Sequence, residues 1–365
     1  MRGRCSVNWV SSSGIFPSIL ALLLAAILSF GLTPVVRRLS MRHGIVDLPG
    51  HRKIHSQPTA LLGGLAVFAA VAGTAFLLQA VNRPVFILLL GGAAMLGIGL
   101  ADDAYDIGAS KFVAELILAA LVVAASGLSF RFPWPSLSPI LTVLWIVGVV
   151  NAFNCLDFAD GAASTTGLVG ALALLTVALA THRQAEALLA AAIAGALVGF
   201  LPYNLAPARI FLGDAGSLTL GYLLAMVAVM HAPATFAVPA VVSPALMLAV
   251  PIYDIVRVHL VRFIKGERSI PRLLTSSGKD HLPHRLLGRG VSQRRVPLVL
   301  MLASAVVAAV GIGVSTLRSP GAALAVVAAV AAAFAFAERA TPTTGSKRQA
   351  AGLGSRLGWR TTDGM

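Results

Sequence analysis

Runs of apolar residues long enough to cross a lipid bilayer recur from one end of this 365-residue chain to the other, and few folds accommodate that pattern. A span needs about 20 apolar residues for a hydrocarbon core roughly 30 Å thick. The runs fall at about 15–36, 61–81, 85–101, 110–127, 139–156, 161–181, 186–203, 217–231, 236–255, 296–316 and 320–337. They predict an all-α, polytopic integral membrane protein with about eleven transmembrane helices. Composition excludes a soluble globule: 57% of residues are hydrophobic, 12% are charged and mean hydropathy is +0.86, which leaves too little polar surface to cover one. The expected organisation is one membrane-embedded domain over residues 1–340 and a disordered tail over 341–365. The first run follows Arg2 and Arg4 as a signal sequence would. Arg37 and Arg38 come directly after it with no small-residue cleavage pattern, so it is expected to stay as a span. Cys5 and Cys155 stand in no metal-ligand spacing and support neither a disulfide framework nor a zinc site.

Basic residues set the orientation, because cytoplasmic loops carry the Lys/Arg excess. Of 28 Lys and Arg, 22 fall in alternate connections: five in 37–60, Lys111, Arg209, ten from Arg257 to Arg295 and five in the tail. Arg2, Arg4, Arg83, Arg131, Arg183 and Arg318 make up the other side. The N-terminus is therefore expected outside and the C-terminus in the cytoplasm, with every polar cluster on the cytoplasmic face. The net charge of +14 follows this loop pattern, so lipid headgroups and phosphorylated substrates are the expected partners and nucleic acid is not.

Five polar clusters carry chemistry. Asp102, Asp103 and Asp106 close the third run, and carboxylates at such depth mark a bundle interior or an aqueous cavity. The loop after the first run holds Asp47, Arg52, Lys53 and His55, with Gly63-Gly64 following; Lys53 and His55 are donors for an anion. Asn151, Asn154, Asp157 and Asp160 step by three residues through the end of the fifth run to Gly161, so the first three share a broad helix face. Phe211-Leu-Gly213-Asp214-Ala-Gly216-Ser217 opens the eighth run and puts Asp214 at a helix N-terminus, with Ser217 as a candidate cap. Finally, Lys279-Asp280-His281-Leu-Pro-His284-Arg285 precedes Leu286, Leu287 and Val291 at nearly helical spacing. It reads as an amphipathic interfacial helix whose histidines suit phosphate.

Asp157 to Ser164 partly matches the D-x-x-D-G-x-x-A-R start of the CDP-alcohol phosphatidyltransferases, but the arginine and the later aspartates are missing. The five clusters in order resemble the polyprenyl-phosphate N-acetylhexosamine-1-phosphate transferases. The match runs from about Asp47 to Ser292 through D-x-P-x-x-R-K-x-H, D-D-x-x-D, N-x-x-N-x-x-D-x-x-D-G, F-x-G-D-x-G-S and H-x-x-H-R-L-L. The resemblance implies a multi-pass protein of the bacterial cytoplasmic membrane that transfers a sugar 1-phosphate, N-acetylglucosamine 1-phosphate foremost, from a UDP-sugar to polyprenyl phosphate and releases UMP. It also implies Mg²⁺, with Mn²⁺ as a substitute. Under it, Asp214 and Asn154 are the metal ligands, Asp102 and Asp103 activate or orient the lipid phosphate, and Lys53, His55, His281, His284 and Arg285 hold donor phosphates. Asp157 and Asp160 read the nucleoside or sugar. Two positions depart from the family: Phe158 stands where glycine is usual, and His281-Leu-Pro283-His284 replaces H-x-H-H. The related phospho-MurNAc-pentapeptide translocase is the alternative, a transporter is a more distant one, and a homodimer is left open.

Reporter fusions test the orientation. A C-terminal reporter is expected to signal from the cytoplasm and one in the Ser129–Ser138 loop from outside; the reverse pattern removes the common face for the five clusters.

Overall fold

Within lipid a backbone must satisfy its own polar groups, and each apolar run does so as a helix. The computed structural model describes residues 14–47, 58–233, 235–269 and 280–340. In chain order its helices are α1 (Ile15–Arg42), α2 (Gly63–Leu77), α3 (Arg83–Tyr105), α4 (Ala109–Ser126), α5 (Ser138–Leu156), α6 (Ala162–Ala180), α7 (Gln184–Asn204) and α8 (Gly213–Met230). They continue as α9 (Val238–Met247), α10 (Ala249–Ile264), α11 (Leu282–Gly288), α12 (Val296–Ser315) and α13 (Pro320–Ala340). Among the described residues nine helices are long and apolar enough to cross a membrane, or up to ten if a bent pair counts as one span, and α2 is a shorter apolar helix of 15 residues.

That bent pair is α9 and α10, which meet at 88°. The sequence reads as one continuous run there, but Pro251 has no N–H to return to Met247, and its ring crowds that carbonyl. The first helix accordingly stops at Met247, and the second takes Pro251 into its first turn, where no N–H is required.

At the centre stands α8, packed against α2, α3, α5, α6 and α7. Every residue in it is buried except Asp214. Glycines permit this crowding: a Cβ on Gly64 would lie 2.2 Å from Gly216 Cα, and one on Gly99 would lie 2.3 Å from Ala215 Cα. The entry to α8 is laced to the entry to α2, with Gly63 N and Gly64 N donating to Phe211 O and Leu212 O at 3.0 Å. Two short strands, β1 (Val46–Asp47) and β2 (Thr59–Ala60), pair antiparallel, and Ala60 also bridges Ile210 in parallel. Lys53 and His55, between those strands, lie outside the described residues.

The leucines of α11 differ from expectation. Leu282, Leu286, Leu287 and Val291 pack on a second core of Leu156, Ala159, Ala162, Val250, Val296 and Leu300, so the apolar stripe faces protein and not headgroups.

Backbone sits where a Gly64 side chain would go, so Gly64→Ala must push α2 from α8. Overpacking of this kind costs about 1–3 kcal/mol. The variant is expected to lower the thermal unfolding midpoint in detergent, whereas Gly148→Ala, with nothing within 4 Å of its added carbon, leaves it unchanged.

Candidate active site

Asp106 ends α3 in the left-handed conformation, φ 49°, and Gly108 turns the chain into α4. This short reversal brings Lys111 back over the end of α3. Its Nζ lies 2.6 Å from Asp102 Oδ2 and 2.5 Å from Asp214 Oδ2, while Asp102 Oδ1 accepts from Ile107 N at 2.9 Å. Asp103 faces the other way. Its Oδ1 accepts from Asp214 N at 2.9 Å and its Oδ2 from Ala215 N at 3.0 Å, so a carboxylate from α3 caps α8. The approach requires glycine at 213: φ there is 71°, and a Cβ would stand 2.3 Å from Leu61 O and 2.7 Å from Asp103 Oδ2.

This external cap explains why α8 starts at Gly213, before the apolar run at 217. Ser217 is its fifth residue and no cap; its Oγ instead accepts from Asn154 Nδ2 at 3.0 Å. The same Nδ2 donates to Asp214 Oδ1 at 3.0 Å, and Asn154 Oδ1 accepts no hydrogen bond among the described residues. Asp214 is therefore not needed to cap its own helix and turns its carboxylate to Lys111 and Asn154. Asn151 serves a different acid, donating to the fully buried Glu115 on α4.

The remaining expected residues divide in two. Asp157 is the C-cap of α5, half-buried, with no hydrogen bond to its carboxylate among the described residues. Surrounding protein drives its carboxyl well above its usual 3.8, and the neighbouring charges of Asp214, Asp103 and Asp160 push the same way. Asp160 is nearly buried and accepts from Ala208 N at 2.9 Å, which ties the start of α6 to the loop before α8. His281 sits at the N-cap of α11, and His284 lies within the helix beside Arg285. Phe158 joins these halves: its ring centroid is 5.2 Å from that of His281 and 5.8 Å from that of His284. On α10, Asp254 bonds His281 Nδ1 at 2.9 Å and accepts from Leu282 N at 2.6 Å. Arg262 clasps Asp280 through two bonds of 2.8 and 2.7 Å. Partial burial raises the Asp280 carboxyl, but Arg262 outweighs it and holds the group below its usual range.

Lys111, Glu115 and Asp254 were not singled out by sequence. Each stands within an apolar stretch, where an ionisable residue signals a bundle interior. Lys111 was hidden by its agreement with the basic-loop pattern. Among the described residues no three His, Cys, Asp or Glu side chains converge to hold a metal unaided.

Fold and site together define a polytopic membrane protein with a clustered acid, lysine and amide site at one end of its bundle. Residues 85–232, from α3 to just beyond α8, match the model of glycosyl transferase family 4. The chain is 32% identical over 283 residues to the Bacillus subtilis protein named "Probable undecaprenyl-phosphate N-acetylglucosaminyl 1-phosphate transferase", covering 74% of this chain and 77% of that one. It is 34% identical over 326 residues to the decaprenyl-phosphate N-acetylglucosaminephosphotransferase of Mycobacterium tuberculosis, covering 78% and 80%. A phospho-N-acetylmuramoyl-pentapeptide-transferase of Halalkalibacterium halodurans is 31% identical over 246 residues, covering 57% of this chain and 74% of its own. The chain belongs to glycosyl transferase family 4.

Asp157 gives a pH test. Burial and the neighbouring acids make the folded state hold this proton more tightly than the unfolded chain does, so Asp157 lowers stability increasingly as pH rises above about 3.8. In metal-free buffer Asp157→Asn is expected to raise the unfolding midpoint at neutral pH, with the gain shrinking toward pH 4.

Proposed function

We propose that this chain transfers a sugar 1-phosphate, N-acetylglucosamine 1-phosphate foremost, from a UDP-sugar to polyprenyl phosphate, releasing UMP. The observation that carries this reading is the joining of Asp102, Lys111, Asp214 and Asn154 at the one unburied position of α8, in a chain whose relatives are named for that activity. A lipid phosphate oxygen attacks the sugar-bearing phosphorus of the donor, the bridging P–O bond breaks, and UMP leaves with the electron pair. Two anionic substrates must meet, so positioning and charge stabilisation dominate.

The residues divide this task. Lys111 offers its ammonium to phosphate oxygens from between two carboxylates. Asp102 and Asp214 hold that ammonium in place, and Asp103 fixes the start of α8 so that Asp214 stays in register. His281, His284 and Arg285 approach the donor phosphates from α11, and Lys53 and His55 are assigned to the same anions.

The donor set fits a hard divalent cation. Among the described residues Asp102 and Asp214 share Lys111, Asp103 and Asp157 stand beside Asp214, and Asn154 keeps a free amide oxygen. Asp214 and Asn154 would hold Mg²⁺, with Mn²⁺ as a substitute, and substrate phosphates would complete a shell that the protein does not supply alone. Bound there, the ion would neutralise charge on the donor diphosphate. The reading places this end of the bundle at the cytoplasmic face of the bacterial inner membrane, where a soluble nucleotide donor can meet a phosphate whose tail stays in lipid.

The test is to incubate purified protein with polyprenyl phosphate, Mg²⁺ and a UDP-sugar panel that includes UDP-N-acetylglucosamine and UDP-MurNAc-pentapeptide. UMP is expected only when lipid phosphate is present, and Asp214→Asn is expected to lower turnover by about 100-fold or more. A stoichiometric UMP burst from donor alone would show a covalent enzyme intermediate instead, and turnover of the pentapeptide donor alone would favour the translocase.

A further inference from the structure

Asp254 belongs to none of the motifs that carry the family resemblance, yet both of its carboxylate oxygens are engaged. It is 0% exposed, lies on the helix that follows the right-angle break, and directs its carboxylate oxygens at the ring of His281 and the backbone N–H of Leu282. Oδ1 accepts from Leu282 N at 2.6 Å and Oδ2 meets His281 Nδ1 at 2.9 Å. A buried carboxylate needs such partners, because an unpaired charge there is strongly unfavourable. The pairing also dictates the ring. An ionised carboxylate only accepts, so His281 carries its proton on Nδ1, and Nε2 is left as the working nitrogen.

Nothing else claims that nitrogen: among the described residues His281 Nε2 has no hydrogen-bond partner, although the residue is only 2% exposed. The ring cannot swing away. Phe158 lies against its face at 5.2 Å, and Arg262, eight residues after Asp254 on α10, anchors the preceding Asp280 by two bonds. Phe158, four residues after Asn154, lies against both His281 and His284, so the histidine segment borders the acid and lysine cluster.

We propose that Asp254 is a positioning residue for sugar-nucleotide recognition: it locks His281 in the orientation and tautomer that present Nε2 to a phosphate oxygen of the donor. When Nε2 takes a proton to donate to that oxygen, the Asp254 carboxylate stabilises the resulting imidazolium through Nδ1–H. Phe158 completes the lock from the α5–α6 connection. This rests on the transferase reading above and goes beyond it by assigning the residue through which His281 acts.

The test uses the full-length protein in detergent and a double-mutant cycle of Asp254→Asn with His281→Gln. Asn keeps the shape of Asp254 but can donate to Nδ1 and so permits the other tautomer. Gln keeps an N–H for Asp254 but has no second ring nitrogen. Each single variant is expected to raise the KM for the UDP-sugar about tenfold or more, with kcat less affected, the size seen when a histidine's carboxylate partner is lost at metal sites. The double variant is expected to be no worse than His281→Gln alone, because Asp254 acts only through His281. Nitrogen NMR of the labelled His281 ring is expected to show Nδ1–H in wild type and its loss in Asp254→Asn.

Full additivity of the two KM effects, or a wild-type KM in either single variant, overturns the proposal. If Asp254→Asn does not fold, His281→Gln decides alone: it leaves Asp254 a partner, and a wild-type KM there has the same consequence. A wild-type protein that turns over no UDP-sugar defeats the transferase reading itself, whereas active wild type with indifferent variants defeats only this assignment.

Discussion

A helix buried along its whole length cannot leave its first N–H groups to water, and the site grows out of how α8 meets that requirement. The backbone donors of Asp214 and Ala215 are answered by a carboxylate from another helix, Asp103. One consequence is geometric: α3 and α8 are fixed end to end where Gly99 and Ala215 already touch. Another is electrical. Asp103 takes the place a capping side chain of α8 would have filled, so Asp214 is free to project from the one position of α8 that is not buried.

A site there would be unstable if it held only acids. Asp102 and Asp214 share Lys111, which α4 delivers because Asp106 and Gly108 reverse the chain within a few residues. Asn154 donates to the second oxygen of Asp214, and Asp157 adds a carboxyl group with no donor of its own among the described residues. Among the described residues the site thus sets Lys111 among several acids, an imbalance that a bound metal cation would relieve. On the facing side α10 supplies Asp254 and Arg262 as two anchors for the histidine segment. Its direction comes from Pro251, a residue with no functional group at all.

The helical architecture was legible because hydrophobic length is read directly by lipid: each apolar run became a helix, to within a few residues at most ends. The clusters were legible as groups for a related reason, since ionisable residues beside apolar runs need a common hydrated place. Their division of roles was not. Asp102 and Asp103 are neighbours in sequence, but a 100° step round the helix sends one to a lysine and the other to a helix terminus. Lys111 looked like an ordinary loop charge because it stands only three residues into α4, at the very start of the apolar run. Asp254 and Glu115 lay singly within apolar stretches, with partners 27 and 36 residues away that no local pattern connects to them. The break at Leu248 was written in Pro251, yet the surrounding run is apolar enough to pass as one span.

The burial of α8 bears on how the protein is made. This helix is the least apolar of the nine single-helix spans and also the most enclosed, whereas α13 is mostly open to its surroundings. A segment with that balance has little reason to remain in lipid by itself: Asp214, Ser217, Thr219 and the three glycines Gly213, Gly216 and Gly221 weaken its partition into hydrocarbon, and its stability comes from neighbours. The flanking helices α2, α3 and α5 all precede it in the chain and would already be available as it emerged from the ribosome. Asp214 thus rides on a segment whose integration depends on earlier ones, so a lesion in α2 or α3 far from Asp214 would surface as failed biogenesis before it could surface as an altered site.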